Sequence, residues 1–308
     1  MSNGMSTEYA TKVYPTTTDP IHRNTYPAIS PLRPELSQAG RTVLITGGNS
    51  GIGYGIAHGF IQASAAKVII LGRRAEVVAS AAQQLTREAG PDYKGVVVGL
   101  TCDIGDATAV DALWQQLRAE GTVVDVLVLN ATGLPRAVPL LELGTDALWQ
   151  VFDVSVRAQM QLTERFYRQE GKGASETKYL VYVSTACIHD FDVGEKYLAY
   201  GLTKHTGQLM FQLIAQDTPA EKMQILGFHP GAIYTDAAKG YGWDENSFPW
   251  DHVDLPSHFA VWAASPEARF MHGRFAWAAW DVEQLQRGEI RKRIDGNPDY
   301  LKVGVHGL

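Results

Sequence analysis

The feature that most constrains this chain is a junction. An apolar run, Thr42-Val43-Leu44-Ile45-Thr46, passes without a break into Gly47-Gly48-Asn49-Ser50-Gly51-Ile52-Gly53 and then into an apolar-periodic segment. Strand, glycine turn and helix start follow in the order that phosphate binding needs. A helix N-terminus offers unpaired N–H groups and a positive dipole end, and glycines let a pyrophosphate approach them. Gly47 permits the tight turn, Gly51 the close approach of the backbone, and Gly53 the packing of helix on strand. The turn as a whole, Gly47, Asn49, Ser50, Gly51, Ile52 and Gly53, is the candidate phosphate cradle. An ordinary glycine-rich turn has the same composition; its position at the first strand–helix junction sets this one apart.

From Arg41 onward, short β-branched or apolar runs alternate with longer helical patterns, the signature of a parallel sheet covered by helices. Strands are predicted at 42–46, 67–71, 95–100, 124–129, 179–183, 223–228 and 274–278, and helices at 51–63, 75–89, 106–120, 145–170, 198–217 and 257–264. Right-handed crossovers make this an α/β, doubly wound, seven-stranded Rossmann-like sheet in a single domain, 41–308, with its ligands beyond the carboxyl ends of the strands. Residues 1–40 carry Pro15, Pro20, Pro27, Pro31 and Pro34 and read as an extended arm, with Tyr14, Tyr26 and Ile29 available to pin it to the domain. A tail is expected at 281–308.

The charge of −6 lacks the basic field that nucleic acid or an anionic membrane would require, so a small molecule is the expected partner. Two cysteines, Cys102 and Cys187, are far apart and without metal-ligand spacing, which fits a reducing compartment and argues against a disulfide scaffold; no metal is expected. No signal peptide and no apolar stretch of roughly 18 residues is present, so a cytoplasmic location is expected.

The end of the second strand bears on the dinucleotide. A ribose 2′-hydroxyl is best held by a carboxylate, whereas a 2′-phosphate needs a cation. Here the strand ends Leu71-Gly72-Arg73-Arg74, with no acid at the turn, which predicts NADP(H), contacted by Arg73 and with Arg74 near the adenine. A solvated pair is the bland alternative, but two cations at a positive dipole end favour a bound anion.

Tyr200-Gly201-Leu202-Thr203-Lys204 sets a phenol and an ammonium four positions apart on one helix face. A phenol titrating near ~10 relays protons poorly at neutral pH unless a nearby cation favours the phenolate, which Lys204 is placed to do. By itself this pair is more often a surface contact. Following the fifth strand of a chain that already carries Thr46-Gly47-x-x-x-Gly51-Ile52-Gly53, it resembles the short-chain dehydrogenases and reductases.

The resemblance covers about 41–280 and implies further roles. Asp103 and Ile104 correspond to the adenine contact, although Asp103 as a plain turn residue is the alternative. Asn130 and Ala131 match the family's Asn-Asn-Ala-Gly imperfectly, with Leu129 for the first Asn and Thr132 inserted before Gly133. Thr185 takes the place of the serine that holds a substrate carbonyl, with Ser184 the competing assignment. Ser155 stands where an Asn would complete a proton relay to Lys204. Pro230, Gly231, Ile233 and Thr235 match Pro-Gly-x-x-x-Thr, the nicotinamide segment. His229 is read as a packed residue.

The long arm and the 265–277 sequence resemble a fungal subgroup often associated with secondary metabolism. The activity implied is NADPH-dependent reduction of a carbonyl or conjugated alkene. Tyr241, Trp243, Phe248 and Trp250 in 236–256 suggest either an aromatic lid over a flat substrate or a loop packed on its own rings. A non-redox isomerase, dehydratase or cyclase and a non-catalytic NADPH sensor are the competing functions. A homodimer or homotetramer is expected.

Overall fold

A computed structural model describes residues 17–170, 177–191 and 197–305; Tyr14 and Pro15 of the arm lie outside these. In chain order the main elements are β1 (Thr42–Thr46), α1 (Gly51–Gln62), β2 (Lys67–Gly72), α2 (Ala75–Ala89), β3 (Val96–Thr101), α3 (Ala107–Ala119), β4 (Val126–Leu129), α4 (Leu140–Leu143), α5 (Thr145–Phe152) and α6 (Ala158–Arg168). There follow β5 (Lys178–Val183), α7 (Leu198–Asp217), β6 (Met223–His229), α8 (Asp236–Gly240), α9 (Asp254–Ala263), β7 (Arg274–Trp277), α10 (Val282–Leu285) and α11 (Gly288–Gly296).

All seven strands are parallel, in the order β3-β2-β1-β4-β5-β6-β7. The expected doubly wound sheet is what forms. Successive strand residues point to opposite faces, so Val43 and Ile45 of β1 join a core with α1, α2 and α9, while Leu44 joins a second core with α3, α6 and α7. Both faces are covered, which is why the strands read as unbroken apolar runs. The chain leaves β1 toward β2 on one side and returns to β4 on the other, so the switch point lies between β1 and β4. A crevice opens there above the strand ends.

Three elements differ from the sequence reading. The helix expected at 145–170 contains a π turn over Asp153–Arg157, where Ser155 is drawn onto the loop after β4. The helix expected from 257 begins at Asp254, because Pro256 sits in the first turn, where a missing N–H breaks no helical bond. The tail forms α10 and α11 and buries Leu285 and Ile294.

The described part of the arm is fastened to the domain. Ile29 and Leu36 are fully buried and Tyr26 nearly so; each such apolar burial contributes about 1.5–3 kcal/mol. The Tyr26 hydroxyl donates to the Trp280 carbonyl at 2.7 Å and its ring stacks on His22 at 3.6 Å. His22 in turn meets Asp281 at 2.9 Å.

Candidate active site

The crevice is a cleft of about 870 Å³ that receives the carboxyl ends of β1, β2, β4, β5 and β6 through Gly47, Leu71, Asn130, Val183 and Pro230. At its centre the glycine turn is held from both sides. The Gly48 N–H donates to the Leu71 carbonyl at 3.2 Å, and Asn130 Nδ2 donates to the carbonyls of Thr46 and Gly47 at 3.0 and 3.2 Å. Thr46 Oγ1 accepts from the N–H groups of Asn130 and Ala131, both at 3.0 Å. Gly47 and Gly51 have φ of +65° and +53°. A Cβ on Gly53 would lie 2.2 Å from the Gly47 carbonyl oxygen, so helix and turn meet only because that atom is missing.

Helix α1 begins here. Ser50 makes no side-chain cap, the first turn contains no acid, and the first backbone helical bond runs from Tyr54 N to Ser50 O. Its leading N–H groups are thus free to face an anion in the cleft. Asn49, Ser50, Gly51 and Ile52 line the wall; Gly53 lies behind it.

At the β2 end, Arg73 and Arg74 line the cleft and are exposed, and their guanidiniums form no ion pair or hydrogen bond among the described residues. Asp103 and Ile104 line the same wall. The Asp103 carboxylate accepts from Gly105 N at 3.0 Å, which is the turn role named as its alternative.

At the β5 end, α7 presents Tyr200 and Lys204 to the cleft. Lys204 Nζ donates to the Val183 carbonyl at 2.6 Å and stands 5.9 Å from the centroid of the Tyr200 ring. Burial lowers its pKa from 10.5 to about 7. Tyr200 moves the other way. Burial and the neighbouring Cys187 thiol push its phenol above the usual range, against a hydrogen bond with the Thr185 hydroxyl that pulls it down. The sequence predicts a phenol made acidic by Lys204; here burial is the largest influence and the phenol is raised instead.

The two candidate hydroxyls divide. Thr185 is paired with Tyr200 and caps the short 3-10 turn Ala186–Ile188, with Oγ1 at 3.4 Å from both Cys187 N and Cys187 Sγ. Ser184 lines the cleft, and its buried Oγ has no hydrogen-bond partner. Ser155 stands away from the cleft lining. Its Oγ accepts from Gly133 N and meets Thr132 Oγ1, both at 3.0 Å, which fixes the loop that forms the facing wall through Thr132, Gly133 and Leu134.

Along β6, Pro230 and Thr235 reach the cleft, while Gly231 and Ile233 stand outside its lining. Thr235 caps α8. His229 accepts from Ala186 N at 3.1 Å, packs at 4.4 Å from Trp277, and is driven by burial to a pKa of about 3, a packed residue as expected.

Of the two readings of 236–256, the contacts show the loop packed on its own rings. Trp243, Phe248 and Trp250 pack on one another with ring centroids 4.1 to 5.9 Å apart. Tyr241 reaches out instead, donating to the Pro135 carbonyl at 3.2 Å and meeting Tyr197 at 4.7 Å. The sequence reading missed Val183, whose carbonyl holds Lys204, and Tyr197; neither belongs to a motif, and only the register of β5 with α7 identifies them.

The family model for the short chain dehydrogenases matches residues 41–246. The chain is 32% identical to a short chain dehydrogenase/reductase of Aspergillus aculeatus, AacuD, over 94% of this chain and 96% of that one. It is 34% identical to one from Claviceps purpurea over 86% of each. A 3-oxoacyl (acyl-carrier-protein) reductase of Agrobacterium tumefaciens, solved with NADP bound, shares the fold at a TM-score of 0.68 and 23% identity, covering 80% of this chain and 96% of that one. With the glycine turn, the parallel sheet and the Tyr–Lys helix in the positions described, the chain belongs to the short chain dehydrogenase/reductase family.

Proposed function

We propose that the protein is an NADPH-dependent reductase that hands hydride to a carbonyl or conjugated alkene of a hydrophobic, aromatic or polyketide-like small molecule. One observation carries the reading. The Tyr200 phenol, hydrogen-bonded to Thr185 and beside a buried Lys204, stands on the wall of the same cleft whose centre is a glycine cradle and whose far end holds two unpaired guanidiniums.

The residues fit the dinucleotide. Free N–H groups at the start of α1 would hold the pyrophosphate, Arg73 with Arg74 the 2′-phosphate, Asp103 and Ile104 the adenine, and Asn130, Ala131 and the 230–235 segment the nicotinamide half. The bound nicotinamide supplies the hydride. Tyr200, kept protonated by burial, donates its proton to the substrate oxygen as negative charge develops there. Thr185 shares the phenol's hydrogen bond and orients it, and Ser184 offers a further unpaired hydroxyl to the same cleft. Lys204 steadies the phenolate as the proton leaves. Ser155, engaged by Gly133 and Thr132, holds the cleft wall and takes no part in the transfer.

The ring pair Tyr241–Tyr197, tied by Tyr241 to Pro135 beside the cleft-lining Leu134, supports an aromatic substrate. Exposed Trp149, Met160, Leu202, Leu209 and Leu213 on α5, α6 and α7 support assembly with a second copy through those helices. No helix among the described residues is long and apolar enough to cross a membrane.

The test is NADPH oxidation across a panel of aromatic and aliphatic ketones, repeated with Tyr200→Phe. Turnover should fall by about 10²–10⁴-fold in the variant while NADPH still binds. Unchanged turnover removes Tyr200 from the chemistry, product without NADPH consumption points to an isomerase or cyclase, and binding without product points to a sensor.

A further inference from the structure

Residue 232 of the β6 segment is bridged to residue 251 by two hydrogen bonds. Asp251 N donates to the Ala232 carbonyl at 2.7 Å, and the Asp251 carboxylate accepts from Ala232 N at 2.8 Å. Gly231 is shaped to the same carboxylate: its φ is +93°, and a Cβ there would lie 2.5 Å from Asp251 Oδ2. The Asp251 side chain is wholly buried, with 0% of its surface exposed.

A buried carboxylate requires compensation, and here a cation comes from the N-terminal arm. Arg23 Nε pairs with Asp251 Oδ1, and the Arg23 carbonyl accepts from His252 N at 2.9 Å, a second two-point bridge. The arm is itself fixed on both sides of Arg23. His22 N donates to the Ala279 carbonyl at 2.8 Å, Thr25 Oγ1 meets His258 Nδ1 at 2.6 Å, and His258 Nε2 reaches Gln62 Oε1 at 2.9 Å. A continuous set of bonds therefore runs from helix α1 through the arm to residues 231–232, next to Pro230 on the cleft wall.

We propose that Arg23 is a positioning residue for cofactor binding: through Asp251 it sets the conformation of the 230–235 segment that receives the nicotinamide half of NADP(H). Arg23 stands behind that segment and does not line the cleft. The inference rests on the reading of the cleft as an NADP(H) site. It makes the arm part of the binding apparatus, and it predicts an effect confined to one half of the dinucleotide. On that reading the adenosine half falls to the β2 and β3 ends, at Arg73, Arg74, Asp103 and Ile104.

The experiment compares Kd values of the full-length protein for NADPH and for 2′,5′-ADP, which carries the adenosine half alone, in wild type, Arg23→Met and Arg23→Lys. In Arg23→Met the Kd for NADPH should rise by roughly tenfold, with that for 2′,5′-ADP unchanged and Arg23→Lys intermediate. Should Arg23→Met fail to fold, Arg23→Lys, which keeps the charge and shortens the donor, is judged by the same split. Equal weakening of both ligands, or none, overturns the role of Arg23 while leaving the cleft assignment intact. Wild-type protein that binds neither ligand overturns both.

Discussion

At the β2 end of the cleft the Arg73 and Arg74 guanidiniums stand exposed with no partner among the described residues, whereas at the β5 end Lys204 is 2% exposed and its ammonium donates to a backbone carbonyl. The same sign of charge serves two purposes because the solvation differs. Exposed guanidiniums are open to an anion arriving from solvent. A desolvated ammonium has its pKa brought to about 7, so that its charge depends on what stands next to it. Between the two lies the glycine turn, which contributes no charged side chain and whose glycines leave room.

The largest expected effect comes from removing that room. In Gly53→Val the new Cβ would fall 2.2 Å from the Gly47 carbonyl oxygen, so turn and helix must separate. Destabilisation of about 1–3 kcal/mol or more is expected, with loss of NADPH binding measured by fluorescence. Wild-type melting and binding would show that the two ends are not joined through this contact. Arg73→Asp acts at the solvated end alone. It should weaken NADPH relative to NADH by about tenfold to a hundredfold, as a carboxylate replaces the cation facing the 2′-phosphate; an unchanged ratio assigns selectivity elsewhere.

The sharpest contrast is in the pH dependence of stability. Lys204 titrates at 10.5 when unfolded and about 7 when folded, so between those values the unfolded chain binds more protons. This group therefore contributes stability that rises with pH from about 7 toward 10.5, and the burial penalty is full below that window. Lys204→Met should flatten the rise of Tm over this range, whereas Arg73→Asp should leave it in place. A wild-type slope in Lys204→Met would mean that the ammonium is not desolvated.

Much of this was legible in the chain itself. Alternating apolar runs and helical periods gave all seven strands to within two residues at each end, and the β1–α1 junction located the cradle, because buried parallel strands and glycine turns leave local signatures. What was not legible depends on distant parts meeting. The π turn at Asp153–Arg157 arises from Ser155 reaching Gly133, the upward shift of Tyr200 from how deeply α7 is covered, and the Asp251–Ala232 bridge from one acid among several in a loop. Nothing in the local sequence separates Asp251 from Asp244 or Asp254. Only packing shows which of them loses its water.

The arm has a bearing on how the protein is made. Arg23, Tyr26 and His22 find their receptors 228, 254 and 259 residues further along the chain. During synthesis residues 22–26 leave the ribosome long before these receptors, while the sheet between can already assemble. This stretch is thus among the last to settle, and a product cut short before residue 251 would leave Arg23 without the carboxylate that receives it.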